Sequence, residues 1–206
     1  MIQYNRLAIF GGTFSPVHNG HIKAMEAYAN KVHPDILYII PTSVPPHKVR
    51  ADSATDRQRI NMLRLIADEL DVPCEVFVSD MEILRGGKSY TVDTLLALRK
   101  FSKTLYMYCG TDMLLSLDTW HDPCTIMNLA TVAYMQRESD LRLNESVEAK
   151  AKDLVERFNA RLIKIPEVPF EVSSSEIRER VKHGESISHL VPKAVEEYIY
   201  REGLYI

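Results

Sequence analysis

What the sequence lacks excludes several classes of protein. The cysteines Cys74, Cys109 and Cys124 lie far apart and form no CxxC pair, so we expect neither a disulfide framework nor a cysteine zinc site. No apolar run approaches the roughly 20 residues that a membrane-spanning helix needs. The N-terminus also lacks the long apolar core of a secretory signal. We therefore expect a cytoplasmic protein with no membrane partner.

The sequence also lacks an excess of basic residues. Its 25 lysines and arginines stand against 28 aspartates and glutamates, which gives a formal net charge of −3. Proteins that bind nucleic acid usually present a basic face, so we expect no nucleic-acid partner. Local basic clusters can still bind a small phosphorylated ligand. The sequence does not determine the oligomeric state, and a homo-oligomer is compatible with it.

Short apolar runs alternate with helical patterns along the chain, and there is no internal repeat or obvious linker. This alternation is typical of βαβ units and predicts an α/β fold with a parallel sheet. We expect one domain over residues 1–206, with about 172–206 as a small helical C-terminal extension. Strands are predicted at 7–10, 36–40, 75–78, 105–108, 130–135 and 162–165. Helices are predicted around 22–29, 60–70, 92–98 and 144–158, with two more that begin near 174 and after 192.

The strongest motif is residues 11–21, which read GGTFSPVHNGH between a predicted strand and a predicted helix. Glycines let the backbone approach a phosphate closely, and the free N–H groups of a helix start favour an anion. His18 and His21 lie three residues apart, so both can face the same ligand. Gly20 leaves room between them. The motif therefore indicates a phosphate-binding turn.

Three simpler interpretations compete for parts of this motif. A glycine pair after a strand is often only a tight turn, and a histidine at a helix start often caps or packs. Paired histidines also occur in metal sites, but two ligands are too few, and no carboxylate or cysteine is adjacent. Each interpretation accounts for one piece of the motif and none for the whole.

The motif at 11–21 resembles the GxFxPxHxGH signature of the nucleotidyltransferase superfamily, whose HxGH element is related to that of class I aminoacyl-tRNA synthetases. The resemblance implies a Rossmann-like domain with helices on both faces of the sheet. Ser15 stands where the superfamily often has aspartate. The chain is too short for a typical synthetase with its tRNA-binding parts. The residues that the resemblance places at the ATP phosphates are Gly11, Gly12, Thr13 and Phe14.

Two further segments resemble elements of the nicotinate-mononucleotide adenylyltransferases. The first is PPHK at 45–48, where the resemblance implies that His47 and Lys48 meet a phosphate of the mononucleotide. By itself this segment reads as an exposed proline-rich turn. The second is KSYTVDTL at 88–95, which resembles SYTxxTL and implies that Tyr90 and Thr91 receive the pyridine carboxylate. Ser89 or Thr91 is also expected to cap the following helix.

A third segment, GTD at 110–112, is followed by the only tryptophan of the chain. It resembles the GxD…W pattern of the same family, which implies Gly110 and Asp112 near a ribose or adenosine hydroxyl and Trp120 stacked on the pyridine ring. A lone tryptophan is more often part of the core because its area dominates packing. The polar residues that flank Trp120 favour a partly open site instead.

The last motif is VSSSEIR at 172–178. Ser173 and Glu176 have the spacing of a capping box at a helix start. The motif also resembles the superfamily's ISSTxIR element, in which hydroxyls and an arginine hold a triphosphate through paired hydrogen bonds. Ser175 stands where threonine is common; like Ser15 it keeps a small polar group, so we expect altered affinity, not lost activity. The implied phosphate ligands are Ser173, Ser174, Ser175 and Arg178.

The ordered motifs identify the chain as a member of this adenylyltransferase family. The resemblance implies transfer of AMP from ATP to nicotinate mononucleotide, giving deamido-NAD and pyrophosphate in NAD biosynthesis. His18, His21 and Arg178 are the expected catalytic residues. Mg²⁺ is expected with the bound ATP, with no dedicated protein metal site. No general base is needed, because a phosphate monoester with a second pKa of about 6 is largely deprotonated near neutrality.

Three other functions stay open at this point. The first is another nucleotidyltransferase, such as a pantetheine-phosphate adenylyltransferase or a cytidylyltransferase, against which the PPHK and SYTxxTL elements speak. The second is a non-catalytic nucleotide sensor, which would not need the full set of phosphate-handling residues. The third is an RNA-binding relative of the synthetases, which the lack of a basic surface disfavours.

Overall fold

The computed structural model describes residues 3–43, 54–135, 141–166, 170 and 172–206. It contains six strands, all predicted from the apolar runs; the first and fourth extend well beyond the predicted limits, and the second extends by one residue. The strands are β1 (Tyr4–Gly12), β2 (Ile36–Pro41), β3 (Glu75–Val78), β4 (Ser102–Cys109), β5 (Ala130–Met135) and β6 (Leu162–Ile165). They form one sheet in the order β3-β2-β1-β4-β5-β6, in which every pair is parallel. The predicted α/β fold with a parallel sheet is confirmed.

The helices in the described part of the chain include all those predicted and three more. They are α1 (Asn19–Val32), α2 (Asp56–Ala67), α3 (Met81–Arg85), α4 (Thr91–Leu98), α5 (Thr111–Ser116), α6 (Pro123–Leu129), α7 (Leu141–Phe158), α8 (Ser174–Lys182) and α9 (Lys193–Arg201). The unpredicted helices α3, α5 and α6 have five to seven residues, too few to show a helical period. No helix among the described residues has the length and apolar character needed to span a bilayer.

The two faces of the sheet bury separate sets of side chains. Along β1, Leu7 and Ile9 enter one core, while Ala8 and Phe10 enter the other. Helices α1, α2, α8 and α9 cover the face of Ala8, and α4, α6 and α7 cover the face of Leu7. Burial on both faces explains why the middle of β1 and the whole of β2 and β5 are almost continuously apolar instead of alternating. The predicted helices on both faces are confirmed.

The strand order places two motifs at the same edge of the sheet. β1 lies between β2 and β4, and the chain leaves β1 and β4 toward opposite faces. A crevice therefore forms outside the carboxyl ends of these two strands, where ligands bind in folds of this kind. The glycine-rich segment at 11–21 follows β1, and the segment at 110–112 follows β4.

The helical C-terminal part predicted over about 172–206 is present as α8 and α9. Ile177, Val181, Val195 and Ile199 from these helices are buried in the same core as helix α1. The C-terminal part thus completes one face of the sheet. We propose on this ground that residues 1–206 fold as one domain.

Substitution of Ile199 tests this proposal. Because its side chain is 0% exposed, Ile199→Ala should lower the free energy of unfolding by about 2–5 kcal/mol in a single cooperative transition. The adjacent Tyr200, which is 48% exposed, provides the control, and Tyr200→Ala should have a much smaller effect. Chemical denaturation followed by circular dichroism measures both. A separate early transition in Ile199→Ala would mean that α8 and α9 form an independent unit.

Candidate active site

A cleft of about 1140 Å³ opens at the carboxyl ends of β1, β2 and β4. Pockets for one ligand usually measure about 300–1000 Å³, so this cleft lies slightly above that range. It brings together residues from four separate motifs of the sequence. The predicted site residues on its wall are Gly11, Gly12, Thr13, Phe14, His18, His21, Tyr90, Thr91, Trp120, Ser173, Ser174, Ser175 and Arg178.

Two of the predicted site residues that the structure describes do not line this wall. Gly110 is the N-cap of α5, and Asp112 is exposed in the first turn of that helix, beside the cleft and not lining it. Their assignment to an adenosine hydroxyl stays a prediction. His47 and Lys48 lie outside the described residues, so their assignment also stays a prediction.

Two glycines of the 11–21 motif permit close packing. A Cβ atom on Gly12 would lie 2.8 Å from the ring of Phe14, and one on Gly20 would lie 2.8 Å from the carbonyl oxygen of Phe170. Both distances are too short for any larger residue. Gly20 was expected to leave room between the histidines, and the structure adds the backbone at Phe170 as a second close neighbour.

His18 and His21 form a stacked pair at the start of α1, with ring centroids 3.6 Å apart. His18 is the N-cap, and its Nδ1 accepts a hydrogen bond from the backbone N–H of His21 at 3.2 Å. The capping interpretation is therefore correct in addition to any role at the ligand. Because Nδ1 of a neutral His18 is an acceptor, its ring proton lies on Nε2, which can donate.

The environment keeps both histidines uncharged. Burial lowers the pKa of His18 to about 4. Burial, followed by repulsion from His18, holds the pKa of His21 well below its usual 6.5. Two stacked imidazolium ions would repel each other in a site that water reaches poorly. The pair therefore offers neutral N–H donors near pH 7.

The start of α8 is docked on the turn that follows β1. The Ser174 hydroxyl donates to the carbonyl oxygen of Pro16 at 2.9 Å. Arg178 donates to the carbonyl oxygen of Ser15 at 2.8 Å and to the hydroxyl of Ser175 at 3.0 Å. Two motifs that lie about 160 residues apart in the sequence thus form one continuous surface.

Only half of the predicted capping box is present at α8. The Ser173 hydroxyl accepts from the backbone N–H of Glu176 at 3.1 Å, as predicted. The reciprocal bond, in which the backbone N–H of Ser173 would donate to the Glu176 carboxylate, is absent. That carboxylate instead accepts from Arg180 at 3.1 Å, one turn further along the helix. This part of the capping prediction is wrong.

The predicted side-chain cap of α4 is also wrong. Tyr90 is the N-cap residue, and its side chain makes no capping bond. The Ser89 hydroxyl instead accepts from the backbone N–H of Ser43, at 3.1 Å, and so ties α4 to the end of β2. The helix start therefore has no side-chain acceptor of its own, which leaves first-turn N–H groups available to an anion.

Aromatic rings line the cleft beside this helix start. The rings of Tyr90 and His121 lie 4.5 Å apart, and both line the cleft with Trp120. Trp120 is half-buried, and its Nε1 donates to the Ser116 hydroxyl at 3.3 Å. The sequence-based expectation of a partly open tryptophan agrees with this placement. His121 was not predicted as a site residue, although it lies next to Trp120.

Two further residues lie at the site although no sequence motif indicates them. Arg59 is a fully buried residue of α2 that lines the cleft. Tyr205, near the C-terminus, lies with its hydroxyl 3.4 Å from that of Ser15. Both are brought there by tertiary packing, and neither is part of a sequence pattern that indicates phosphate binding.

Comparisons with known proteins agree with this geometry. Residues 9–180 match the cytidylyltransferase-like family. The chain is 34% identical to the "Probable nicotinate-nucleotide adenylyltransferase" of Desulfatibacillum aliphaticivorans, covering 98% of this chain and 100% of that protein. It is 35% identical to the protein of the same name from Lachnoclostridium phytofermentans, covering 98% and 99%.

Solved structures have the same fold. The nicotinic acid mononucleotide adenylyltransferase of Plasmodium falciparum, complexed with APC, matches with a TM-score of 0.74 at 20% identity, over 98% of this chain and 97% of that one. Its complex with NaAD matches equally well, with the same TM-score, identity and coverage. At this level of identity the likeness concerns the fold.

The neutral histidine pair makes a testable prediction. In the free protein, the ring-proton NMR shifts of His18 and His21 should stay constant from about pH 5.5 to 8, while free imidazole in the same sample titrates. The unfolded chain binds protons at these sites below about pH 6.5, whereas in the native protein the pKa of His18 is lowered to about 4 and that of His21 lies well below 6.5. The free energy of unfolding should therefore fall as the pH drops from about 6.5 toward 4. Ordinary titration of both rings near pH 6.5 would contradict the assignment.

Proposed function

Since the chain belongs to the cytidylyltransferase-like family, and within it to the nicotinate-nucleotide adenylyltransferases, we propose that it transfers AMP from ATP to nicotinate mononucleotide. The products are deamido-NAD and pyrophosphate, and the reaction is a step of NAD biosynthesis. The observation that carries this proposal is a cleft in which the motifs at 11–21 and 172–178 meet an aromatic wall, formed by Tyr90, Trp120 and His121.

The triphosphate of ATP occupies the side of the cleft formed by α1 and α8. The start of the 14-residue helix α1 carries partial positive charge, which favours an anion, although the backbone N–H of Asn19 donates to Leu190 and that of His21 donates to His18. His18 and His21 donate to phosphate oxygens there, with His21 nearest the α-phosphate. Arg178 neutralises the departing β- and γ-phosphates, and its fork geometry suits paired bonds to their oxygens. The remaining ligands on this side are Gly11, Gly12, Thr13, Phe14, Ser173, Ser174 and Ser175.

Nicotinate mononucleotide occupies the side formed by α4 and the aromatic wall. The pyridine carboxylate meets the uncapped start of α4 at Tyr90 and Thr91, where an anion is favoured. Trp120 stacks on the pyridine ring from its half-buried position. His47 and Lys48 are assigned to the mononucleotide phosphate by their motif alone.

The reaction needs positioning and charge neutralisation more than acid–base chemistry. A phosphate oxygen of the mononucleotide attacks the α-phosphorus of ATP in line, and the bond from that phosphorus to the bridging oxygen of the β-phosphate breaks. Pyrophosphate then leaves with the electron pair. The nucleophile is already deprotonated near pH 7, since its second pKa is about 6. Neutral histidine donors and Arg178 therefore suffice to stabilise the transferring and leaving groups.

The proposed reaction also involves a metal ion, a cellular location and a choice of partners. Mg²⁺ enters as part of the substrate MgATP, held by phosphate oxygens and water, as is usual for this ion. All three cysteines are free, which fits a cytoplasmic location. The proposal includes no nucleic-acid partner, and it is compatible with either a monomer or a homo-oligomer.

A substrate panel tests the proposal directly. Pyrophosphate release from MgATP is measured with nicotinate mononucleotide, nicotinamide mononucleotide and phosphopantetheine as acceptors. We expect strong preference for the nicotinate compound, because the start of α4 favours a carboxylate over an amide. Activity only with another acceptor would retain the ATP site and overturn the substrate assignment. Failure with all three acceptors, despite ATP binding, would favour a nucleotide sensor.

Substitution of Trp120 tests the acceptor side. Stacking of a base on an aromatic ring contributes about 1–3 kcal/mol, so Trp120→Ala should raise the KM for nicotinate mononucleotide roughly 5- to 160-fold while the KM for ATP changes little. Trp120→Phe keeps a ring and should restore most of the affinity. Steady-state kinetics and a melting curve check both variants. A large fall in melting temperature with an unchanged KM would instead assign Trp120 to the core.

A further inference from the structure

Arg59 occupies an unusual position for a cation. It lies in the first turns of α2, is 1% exposed, and also lines the cleft. Arginine is almost never fully buried unless its charge is paired. Its buried guanidinium therefore needs fixed partners, and those partners indicate what the residue does.

The partners of Arg59 are backbone groups at the ends of two neighbouring strands. One terminal nitrogen donates to the carbonyl oxygen of Thr13 at 2.6 Å, just beyond β1. The other donates to the carbonyl oxygen of Thr42 at 2.6 Å, just beyond β2, and to the carboxylate of Asp56 at 2.5 Å. The planar guanidinium therefore joins two loop ends, and the carboxylate of Asp56 in the same helix balances its charge. The single ammonium group of lysine cannot reproduce this geometry.

The bond to Thr13 determines the orientation of one peptide group in the phosphate-binding turn. In a trans peptide the C=O and the following N–H point in opposite directions. With the Thr13 carbonyl directed at Arg59, the N–H of Phe14 is directed away from Arg59. Phe14 has a φ of 51°, in the left-handed region that a residue with a side chain adopts only when its surroundings enforce it.

We propose that Arg59 is a positioning residue that holds the Thr13–Phe14 peptide in the orientation needed to bind the phosphates of ATP. It acts through the backbone and does not itself touch the substrate. This inference rests on the proposed function of the cleft. It extends that proposal to a residue outside the five motifs that supply the predicted ligands.

Lysine and methionine variants of Arg59 separate positioning from stability. Arg59→Lys keeps the charge and one bond, so we expect folded protein whose kcat/KM for ATP falls about 10- to 100-fold, as small misplacements of reacting groups do. Arg59→Met should lose more. Arg57, exposed on the same helix, provides the matched control, and Arg57→Met should leave kcat/KM unchanged. Melting curves and the ATP dissociation constant from calorimetry are measured for every variant.

Rescue by free guanidinium gives a second readout that a purely structural role would not produce. In Arg59→Ala, guanidinium ion at tens of millimolar should restore kcat/KM several-fold, whereas methylammonium should not. A folded Arg59→Lys variant with kcat/KM and ATP affinity close to wild type would overturn the proposal. A lysine variant that fails to fold, together with no rescue of Arg59→Ala, would also overturn it and assign Arg59 to stability alone.

The same measurements distinguish this inference from the proposed function. If wild-type protein binds ATP but adenylylates no mononucleotide, the proposed function fails. The comparison of ATP dissociation constants between wild type, Arg59→Lys and Arg57→Met then still tests Arg59. Weaker ATP binding only in the Arg59 variants would support it, and equal binding in all three proteins would overturn it.

Discussion

The site depends on how other parts of the protein hold the backbone carbonyls of the turn after β1. Arg59 from α2 holds the carbonyl of Thr13, Arg178 from α8 holds that of Ser15, and Ser174 from α8 holds that of Pro16. Peptide groups whose oxygens are held in this way cannot rotate freely. The turn is therefore organised before any ligand arrives, and little reorganisation is needed during the reaction.

This arrangement also explains why α8 and α9 belong to the core. The donors of α8 must stay within hydrogen-bond distance of the turn, so the helix has to be fixed firmly to the sheet. Burial of Ile177 and Val181 in the same core as α1 provides that attachment. Neutral histidines fit the same principle: His18 and His21 stay uncharged in the free site, so no cationic cluster has to be stabilised there in the absence of phosphate.

The sequence predicted the fold well where local pattern and tertiary structure agree. Strands β3, β5 and β6 match their predicted limits residue for residue. The clearest case is β5, which is buried along its whole length and therefore leaves an unbroken apolar signal. Helices α3, α5 and α6 were missed because short helices depend on packing more than on their own periodicity. Arg59 was missed for a related reason, since its partners at Thr13 and Thr42 are distant in sequence and are backbone groups, which no motif records.

The capping errors have the same physical origin. Ser89 and Glu176 are residue types that favour capping, and both stand at positions from which the sequence predicts it. In the folded protein, however, Ser89 accepts from the backbone N–H of Ser43 and Glu176 accepts from Arg180. Local rules describe what a side chain can do, and the tertiary structure decides among the options. Motif resemblance selected residues that line one cleft although they are distant in sequence, while their roles at a ligand stay predictions.

The two departures from the superfamily pattern are understandable from the same contacts. At position 15 the backbone oxygen accepts the bond from Arg178, while the Ser15 hydroxyl meets Tyr205. The bond to Arg178 therefore does not depend on which side chain stands there. At position 175 the hydroxyl accepts from Arg178, and threonine would present the same group. Because the turn is held at position 15 through a backbone atom, the side chain at this one position can vary without loss of the bond to Arg178.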